Sequence, residues 1–167
     1  MSSKKAFFNN VSLILGVSCA IITLVIMVVS GSPFDMLHKT YSDNAIPPIW
    51  VWGLSSILLS FLSGCGAGIL LGNLIHGKLS GNHEHSAYKG MIFFVALFFL
   101  SNAHYPIFFV AERFFISLII SVVAIAAAVL CALFWAKPSP LSTVLVSLFA
   151  LWQMYVTFIN VCVLLKI

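Results

Sequence analysis

The stretch FFISLIISVVAIAAAVLCALFWA, residues 114–136, contains no charged residue. A helix needs about 20 mostly apolar residues to cross the hydrocarbon core of a bilayer. Every backbone amide inside that core needs a partner within the protein, so the structures that span it are helices and closed β-barrels. Strands of a membrane barrel alternate polar and apolar residues, whereas this stretch is apolar on all sides. It therefore predicts a membrane-spanning helix.

Four further charge-free runs of similar length lie on either side of this stretch, at residues 6–34, 44–77, 90–111 and 138–165. We therefore predict an all-α integral membrane bundle of five transmembrane helices, forming a single domain over residues 1–167. The predicted helices cover about residues 11–30, 47–73, 88–104, 107–135 and 140–165, and residues 31–46 are predicted to form a lid-like loop.

The composition supports this fold class and excludes others. The chain is 62% hydrophobic and only 7% charged, whereas soluble domains carry roughly a quarter charged residues. The eight Lys and Arg residues are scattered singly, so the formal net charge of +4 does not indicate nucleic-acid binding. We predict a multi-pass protein of a bacterial cell membrane or an organelle membrane.

The sequence contains no pattern typical of a metal centre, a cofactor site or a catalytic group. His83 and His85 flank Glu84 in a predicted polar loop, but zinc sites need three or four ligands in fixed geometry. This segment is therefore interpreted as a solvated loop. The cysteines lie in apolar runs and are interpreted as small buried residues; they are Cys19, Cys65, Cys131 and Cys162. We predict no metal, no cofactor and no catalytic residue.

Tryptophan occurs near the start of the second predicted helix and again deep within the fifth. Trp50 and Trp52 follow Pro47 and Pro48, as expected for the aromatic belt at a membrane interface. Trp152 lies about 12 residues into the fifth helix, which is too deep for that belt at a rise of about 1.5 Å per residue. A buried indole N–H needs a partner, and a ligand cavity is one way to supply it.

Three motifs, in this order, resemble those of the TspO/MBR family, the tryptophan-rich sensory or translocator proteins. Residues 47–53 read PPIWVWG, similar to the family's P-P-x-W-x-F-G. Residues 100–109 read LSNAHYPIFF, similar to L-N-x-x-W-x-P-x-F-F with one residue deleted. Residues 139–141 read SPL and are followed by Trp152, similar to the S-P-L and the tryptophan of the family's fifth helix.

The chain also departs from the family's pattern at particular positions. Ser56 stands where the first motif ends in tryptophan, and Tyr105 stands where the second motif has tryptophan. Val156 stands where an alanine is common in the fifth helix. The tryptophan pair of the family's pocket is therefore reduced to Trp152, with Trp52 as a stand-in.

The resemblance implies a membrane receptor or carrier that binds a flat hydrophobic ligand in a cavity of the helix bundle. The implied ligand is a porphyrin or haem-like tetrapyrrole, or else a sterol or another lipid. Tryptophans would stack on it, Asn102 would form one hydrogen bond, and Lys39 of the predicted lid could meet a propionate. The implied ligand-binding residues are Trp50, Trp52, Asn102, Tyr105, Phe108, Phe109, Trp152 and Val156.

Two alternatives remain open at this point. One is an enzyme that degrades the bound tetrapyrrole with a tryptophan as the reactive partner, which the serine at position 56 disfavours; we predict a protein that is not an enzyme. The other is a structural or assembly subunit without a small-molecule ligand. Gly64, Gly68 and Gly72 share one helix face, and small residues at this spacing let helices approach closely in lipid. That face could form a homodimer or pack within the bundle. The expected partners are the hydrophobic ligand and membrane lipid, without nucleic acid.

Overall fold

The computed structural model describes residues 10–30 and 49–165. Within these residues the chain forms five α-helices and no strand: α1 (Asn10–Val29), α2 (Ile49–Ile75), α3 (Asn82–Tyr105), α4 (Phe114–Trp135) and α5 (Pro140–Leu165). All five are long and apolar enough to cross a membrane, so the all-α prediction of five transmembrane helices is confirmed. The predicted lid-like loop, residues 31–46, lies outside the described residues.

Helix α3 begins earlier than predicted. It starts at Asn82 rather than at residue 88, after Gly81 with φ 56°, so the interpretation of His83–His85 as part of a loop is wrong. A helix forms its internal backbone hydrogen bonds in water as well as in lipid, so α3 need not begin where the hydrocarbon begins. Glu84 lies in this first turn, where a negative charge interacts favourably with the helix dipole.

The connection between α3 and α4 also lies later than predicted. We expected α4 to begin near residue 107, but α3 continues as a single π-helical turn, Pro106–Val110, and α4 begins at Phe114. Proline lacks an N–H and crowds the carbonyl four residues back, and a wider π turn is one way in which a helix absorbs such a disruption. The chain then reverses at Glu112, which has a left-handed φ of 51°.

The helices are arranged around the bundle in the order α1, α2, α5, α4, α3. Helix α3 packs extensively on α4 and only lightly on α1 and α2. Helix α1 packs almost entirely on α2, and its outer face carries exposed apolar side chains such as Ile14, Val28 and Val29. Lipid tails are as apolar as these side chains, so such a face suits a bilayer.

The glycine face of α2 packs against α1 inside the same chain. A Cβ atom on Gly64 would lie 2.8 Å from the carbonyl oxygen of Leu15, and one on Gly68 would lie 2.8 Å from that of Val11. Both distances are shorter than real Cβ contacts allow, so these positions need glycine for the two helices to approach. The interpretation of packing within the bundle is confirmed for Gly64 and Gly68, and the interpretation of a dimer face is wrong for them.

Aromatic side chains are concentrated towards opposite ends of the bundle. The first group, the Trp135 cluster, lies where α4 ends and packs against the middle of α3, and consists of Phe93, Phe94, Phe134 and Trp135. The second group, the Trp52 cluster, lies where α2 begins and α3 ends. It consists of the buried Trp52, Tyr105, Phe108, Phe109, Val156, Ile159 and Val163 with the half-buried Ile26, Met27, Phe114, Trp152 and Tyr155. Small side chains, including the buried cysteines Cys65 and Cys131, fill much of the core elsewhere.

Candidate ligand-binding site

The structure brings six of the eight predicted ligand-binding residues together in the Trp52 cluster. These six are Trp52, Tyr105, Phe108, Phe109, Trp152 and Val156, and they come from α2, α3 with its π turn, and α5. Asn102 lies one helical turn before Tyr105 and therefore on the same face of α3. Trp50 lies in the first turn of α2, and its side chain is outside the described part of the structure.

Three aromatic rings from two helices form one side of the cluster. The ring centroids of Trp52 and Trp152 are 5.5 Å apart with an interplanar angle of 68°, and Tyr155 lies 6.1 Å from Trp52 and 5.5 Å from Trp152. Edge-on contacts at these distances are a preferred geometry of aromatic pairs. Trp152 and Tyr155 are spaced three residues apart on α5, so both face the same way. That spacing was the signal by which Tyr155, which sequence reasoning missed, could have been found.

The end of α3 and its π turn supply the opposite wall. The ring of Tyr105 stacks on Phe109 at 6.2 Å, and Phe108 meets Phe109 edge-on at 4.7 Å. Phe114, at the start of α4, adds a further edge-on contact with Phe108 at 5.2 Å. The π turn thus continues the aromatic surface of α3 beyond Pro106.

A hydrogen bond ties this wall to α2. The hydroxyl of Tyr105 donates to Ser56 Oγ over 2.7 Å, and both residues are buried. Ser56 and Tyr105 each depart from a tryptophan of the family's motifs, and the resemblance implies a ligand-binding role for Tyr105 alone. The structure shows that the two departures complement each other, because the smaller serine accepts the bond that the tyrosine hydroxyl donates. Ser56 lies one turn after Trp52 on α2, and that spacing is the signal that could have placed it here.

Three buried polar atoms around this site have no hydrogen-bond partner among the described residues. They are Nε1 of Trp52, Nε1 of Trp152 and Oδ1 of Asn102. Both indoles lie beside the Tyr105 hydroxyl, but neither reaches it with hydrogen-bond geometry. The amide nitrogen of Asn102 donates to the carbonyl of Phe98 over 2.8 Å, which leaves its oxygen free. Burying a polar group without a partner costs on the order of 1–3 kcal/mol, so these unsatisfied atoms distinguish the site energetically.

A network of buried polar side chains, which was not predicted from the sequence, packs beside the cluster. Nδ1 of His104 lies 2.5 Å from Ser117 Oγ, and the Asn160 amide donates to Ser121 Oγ over 3.1 Å. All four side chains are buried, and together they link α3, α4 and α5. This network holds the residue next to Tyr105 in place. His104 is the one titratable side chain of this network. No group of three metal-ligating residues occurs in the described part of the chain.

Comparison with known proteins gives one match. The sequence model of the TspO/MBR family matches residues 12–165. That range is nearly the whole chain, and it includes all three motifs and every residue of the Trp52 cluster. No curated protein and no solved structure matches.

Proposed function

Because the chain belongs to the TspO/MBR family, a family of membrane sensory and binding proteins, we propose that it binds a flat hydrophobic ligand at the Trp52 cluster as a receptor or carrier. The five apolar helices and the family together make it a multi-pass integral membrane protein. The proposed ligand is a porphyrin or haem-like tetrapyrrole, with a sterol or another lipid as the broader class. We propose binding without chemical turnover.

The observation that carries this proposal is the convergence of aromatic side chains from four helices around unpaired polar atoms. Ligand sites are mostly apolar and aromatic, with a few placed polar groups that fix orientation. The Trp52 cluster has both features, because two indole N–H donors lie among its rings. Trp152 and Tyr155 are only half-buried, so they are the rings that can turn aside to admit a planar molecule. Such a ligand would exchange ring–ring contacts for ring–ligand contacts.

Each residue has a defined part in this proposal. Trp52 and Trp152 would stack on the ligand and offer their N–H groups to its acceptor atoms. Phe108 and Phe109 would form the wall opposite α5. Asn102, whose Oδ1 is free, would accept one hydrogen bond from a donor on the ligand.

Replacement of Trp152 by alanine tests the proposal. Trp152→Ala removes one stacking face and one donor, and should weaken protoporphyrin IX binding about fivefold, since aromatic pairing contributes on the order of 1 kcal/mol. The measurement is a titration of purified protein, followed through porphyrin absorbance. Phe158→Ala is the matched control, because Phe158 is an aromatic residue on the same helix that is 60% exposed on the outer surface.

Equal effects of the two substitutions, or binding that never saturates, would remove the Trp52 cluster from consideration as the site. The same samples should be followed in the dark and under illumination. Constant absorbance of the saturated complex supports binding alone. Light-dependent loss of absorbance that Trp152→Phe abolishes would instead favour an enzyme that degrades the ligand.

A further inference from the structure

The short connection between α3 and α4 holds an arginine at the edge of the Trp52 cluster. The Arg113 amide donates to the carbonyl of Ile107 over 3.1 Å, and its own carbonyl accepts from the Ser117 amide over 2.9 Å. These bonds anchor the backbone of Arg113 to the π turn on one side and to α4 on the other. Glu112, with its left-handed φ of 51°, sets the direction in which the chain enters α4.

The side chain of Arg113 is exposed, and the next residue belongs to the cluster. Phe114 is half-buried and contacts Phe108 with a centroid distance of 5.2 Å. Among the described residues, the Arg113 guanidinium takes part in no hydrogen bond or ion pair. A long, flexible cation is therefore tethered one residue away from the aromatic wall, without a partner there.

The distribution of charge makes this arginine distinctive. Lys78, Lys89 and Lys137 lie in the described chain at the opposite end of the bundle, where α2 and α4 end and α3 and α5 begin. Lys89 already lies over the ring of Phe134, 5.8 Å from its centroid. At the end of the bundle that holds the Trp52 cluster, Arg113 is the cation that the described residues supply.

The polar atoms inside the cluster are neutral, so they cannot compensate an anion. A carboxylate placed among them would lose its hydration without gaining an opposite charge, which is unfavourable. An amphipathic ligand would therefore keep its acidic group at the membrane surface while its ring system enters the cluster. Arginine suits that position because its planar guanidinium donates two parallel hydrogen bonds to a carboxylate.

We propose that Arg113 is a specificity-determining residue that pairs with an acidic group of the ligand, so that the site selects hydrophobic acids over their neutral counterparts. This inference rests on the proposed binding function and deepens it. It adds to that function a residue that distinguishes ligands by the charge at their edge.

Two probes that share one ring system but differ in charge test this selection. Protoporphyrin IX carries two free carboxylates, and its dimethyl ester is neutral. Arg113→Gln should weaken binding of the free acid about fivefold, as expected for one partly exposed ion pair, and should leave binding of the ester unchanged. Added salt should weaken binding of the acid to the unsubstituted protein and have little effect in the variant, because salt screens exposed charge pairs.

Two further substitutions serve as controls, one expected to leave binding unchanged and one expected to strengthen it. Lys137→Gln removes a cation at the far end of the bundle and should change neither affinity. Glu112→Gln removes the negative charge beside Arg113 and should tighten binding of the free acid slightly. Equal responses of acid and ester to Arg113→Gln would overturn this inference and leave the binding function standing. Failure of the unsubstituted protein to bind either probe would overturn both.

Discussion

The two ends of the bundle use tryptophan in different ways. Trp135 is fully buried, and its ring fits against Gly90, whose missing side chain leaves room for the indole. Its neighbours Phe93 and Phe134 stack almost parallel, with an interplanar angle of 6°. In the Trp52 cluster the tryptophans instead meet edge-on, and Trp152 is only half-buried. The first end is fitted around a glycine, whereas the second contains rings in edge-on and tilted contact, of which Trp152 and Tyr155 are only half-buried.

An unpaired indole N–H does not by itself separate the two ends. Among the described residues Nε1 of Trp135 lacks a partner, as do Nε1 of Trp52 and of Trp152. The difference lies in what surrounds the atom. Backbone and a fixed ring enclose Trp135, while half-buried side chains border Trp52. We therefore expect substitutions at the Trp135 end to change stability, and substitutions at the Trp52 end to change binding.

The largest expected effect is on stability, at Gly90. A Cβ atom there would overlap the indole of Trp135 and lie 3.2 Å from Cβ of Phe134. Gly90→Ala should therefore lower the free energy of unfolding by about 2 kcal/mol, since overpacking outweighs the better helix propensity of alanine. Denaturant unfolding of the purified protein in detergent measures this change in the free energy of unfolding.

Gly53→Ala is the matched control, because a Cβ atom at Gly53 would meet only Cε of Met27, at an ordinary 3.6 Å. The free energy of unfolding of Gly53→Ala should be unchanged or slightly higher than that of the unsubstituted protein. Porphyrin affinity per folded molecule should stay the same in Gly90→Ala. A stable Gly90→Ala variant with weakened binding would contradict the division of roles between the two ends.

The second test replaces one tryptophan at each end. Trp52→Phe removes a donor and part of a stacking surface, and should weaken protoporphyrin IX binding by about 1 kcal/mol. Trp135→Phe removes the same atoms from the other end and should leave affinity unchanged while altering the unfolding midpoint. Titration and thermal unfolding of both variants distinguish these results. The comparison fails if Trp135→Phe weakens binding as much as Trp52→Phe does.

The smallest effect concerns the bond between Tyr105 and Ser56. Hydrogen bonds between membrane helices contribute about 0.6 kcal/mol on average. A double-mutant cycle with Tyr105→Phe and Ser56→Ala should give a coupling free energy of about that size in unfolding experiments. Thr23 and Ser60, bonded at 3.0 Å between α1 and α2, provide a second hydroxyl pair away from the cluster for comparison. Additive effects of Tyr105→Phe and Ser56→Ala would show that their bond does not hold α3 to α2.

The sequence predicts the number and class of helices well because each span must satisfy its own backbone, and the charge-free runs show where this happens. It predicts the join between α3 and α4 poorly. The sequence predicts one helix to end at residue 104 and the next to begin at residue 107, whereas a π turn continues α3 past Pro106 to Val110. The start of α3 was missed because a polar turn in water is compatible with either a loop or a helix.

The candidate site is predictable only where the position of a single residue in the sequence identifies it. The depth of Trp152 and the family's motifs predict six of the twelve residues of the cluster from their own positions. The bonds that join them connect residues 49 positions apart, as in Tyr105–Ser56, or 39 apart, as in Asn160–Ser121. Such bonds depend on which helix faces meet in the bundle, and no local pattern encodes that. The partner of the glycine face on α2 was left open for the same reason.

The glycine contact between α1 and α2 affects the order in which the helices can assemble during synthesis. Membrane helices insert first and associate afterwards, and a chain is made from its N-terminal end. Helices α1 and α2 can therefore dock as a hairpin while the remaining helices are still being translated. The Trp52 cluster draws residues from all five described helices, so it can close only when α5 has entered the bilayer. A half-made chain is thus already partly assembled but does not yet possess the complete Trp52 cluster.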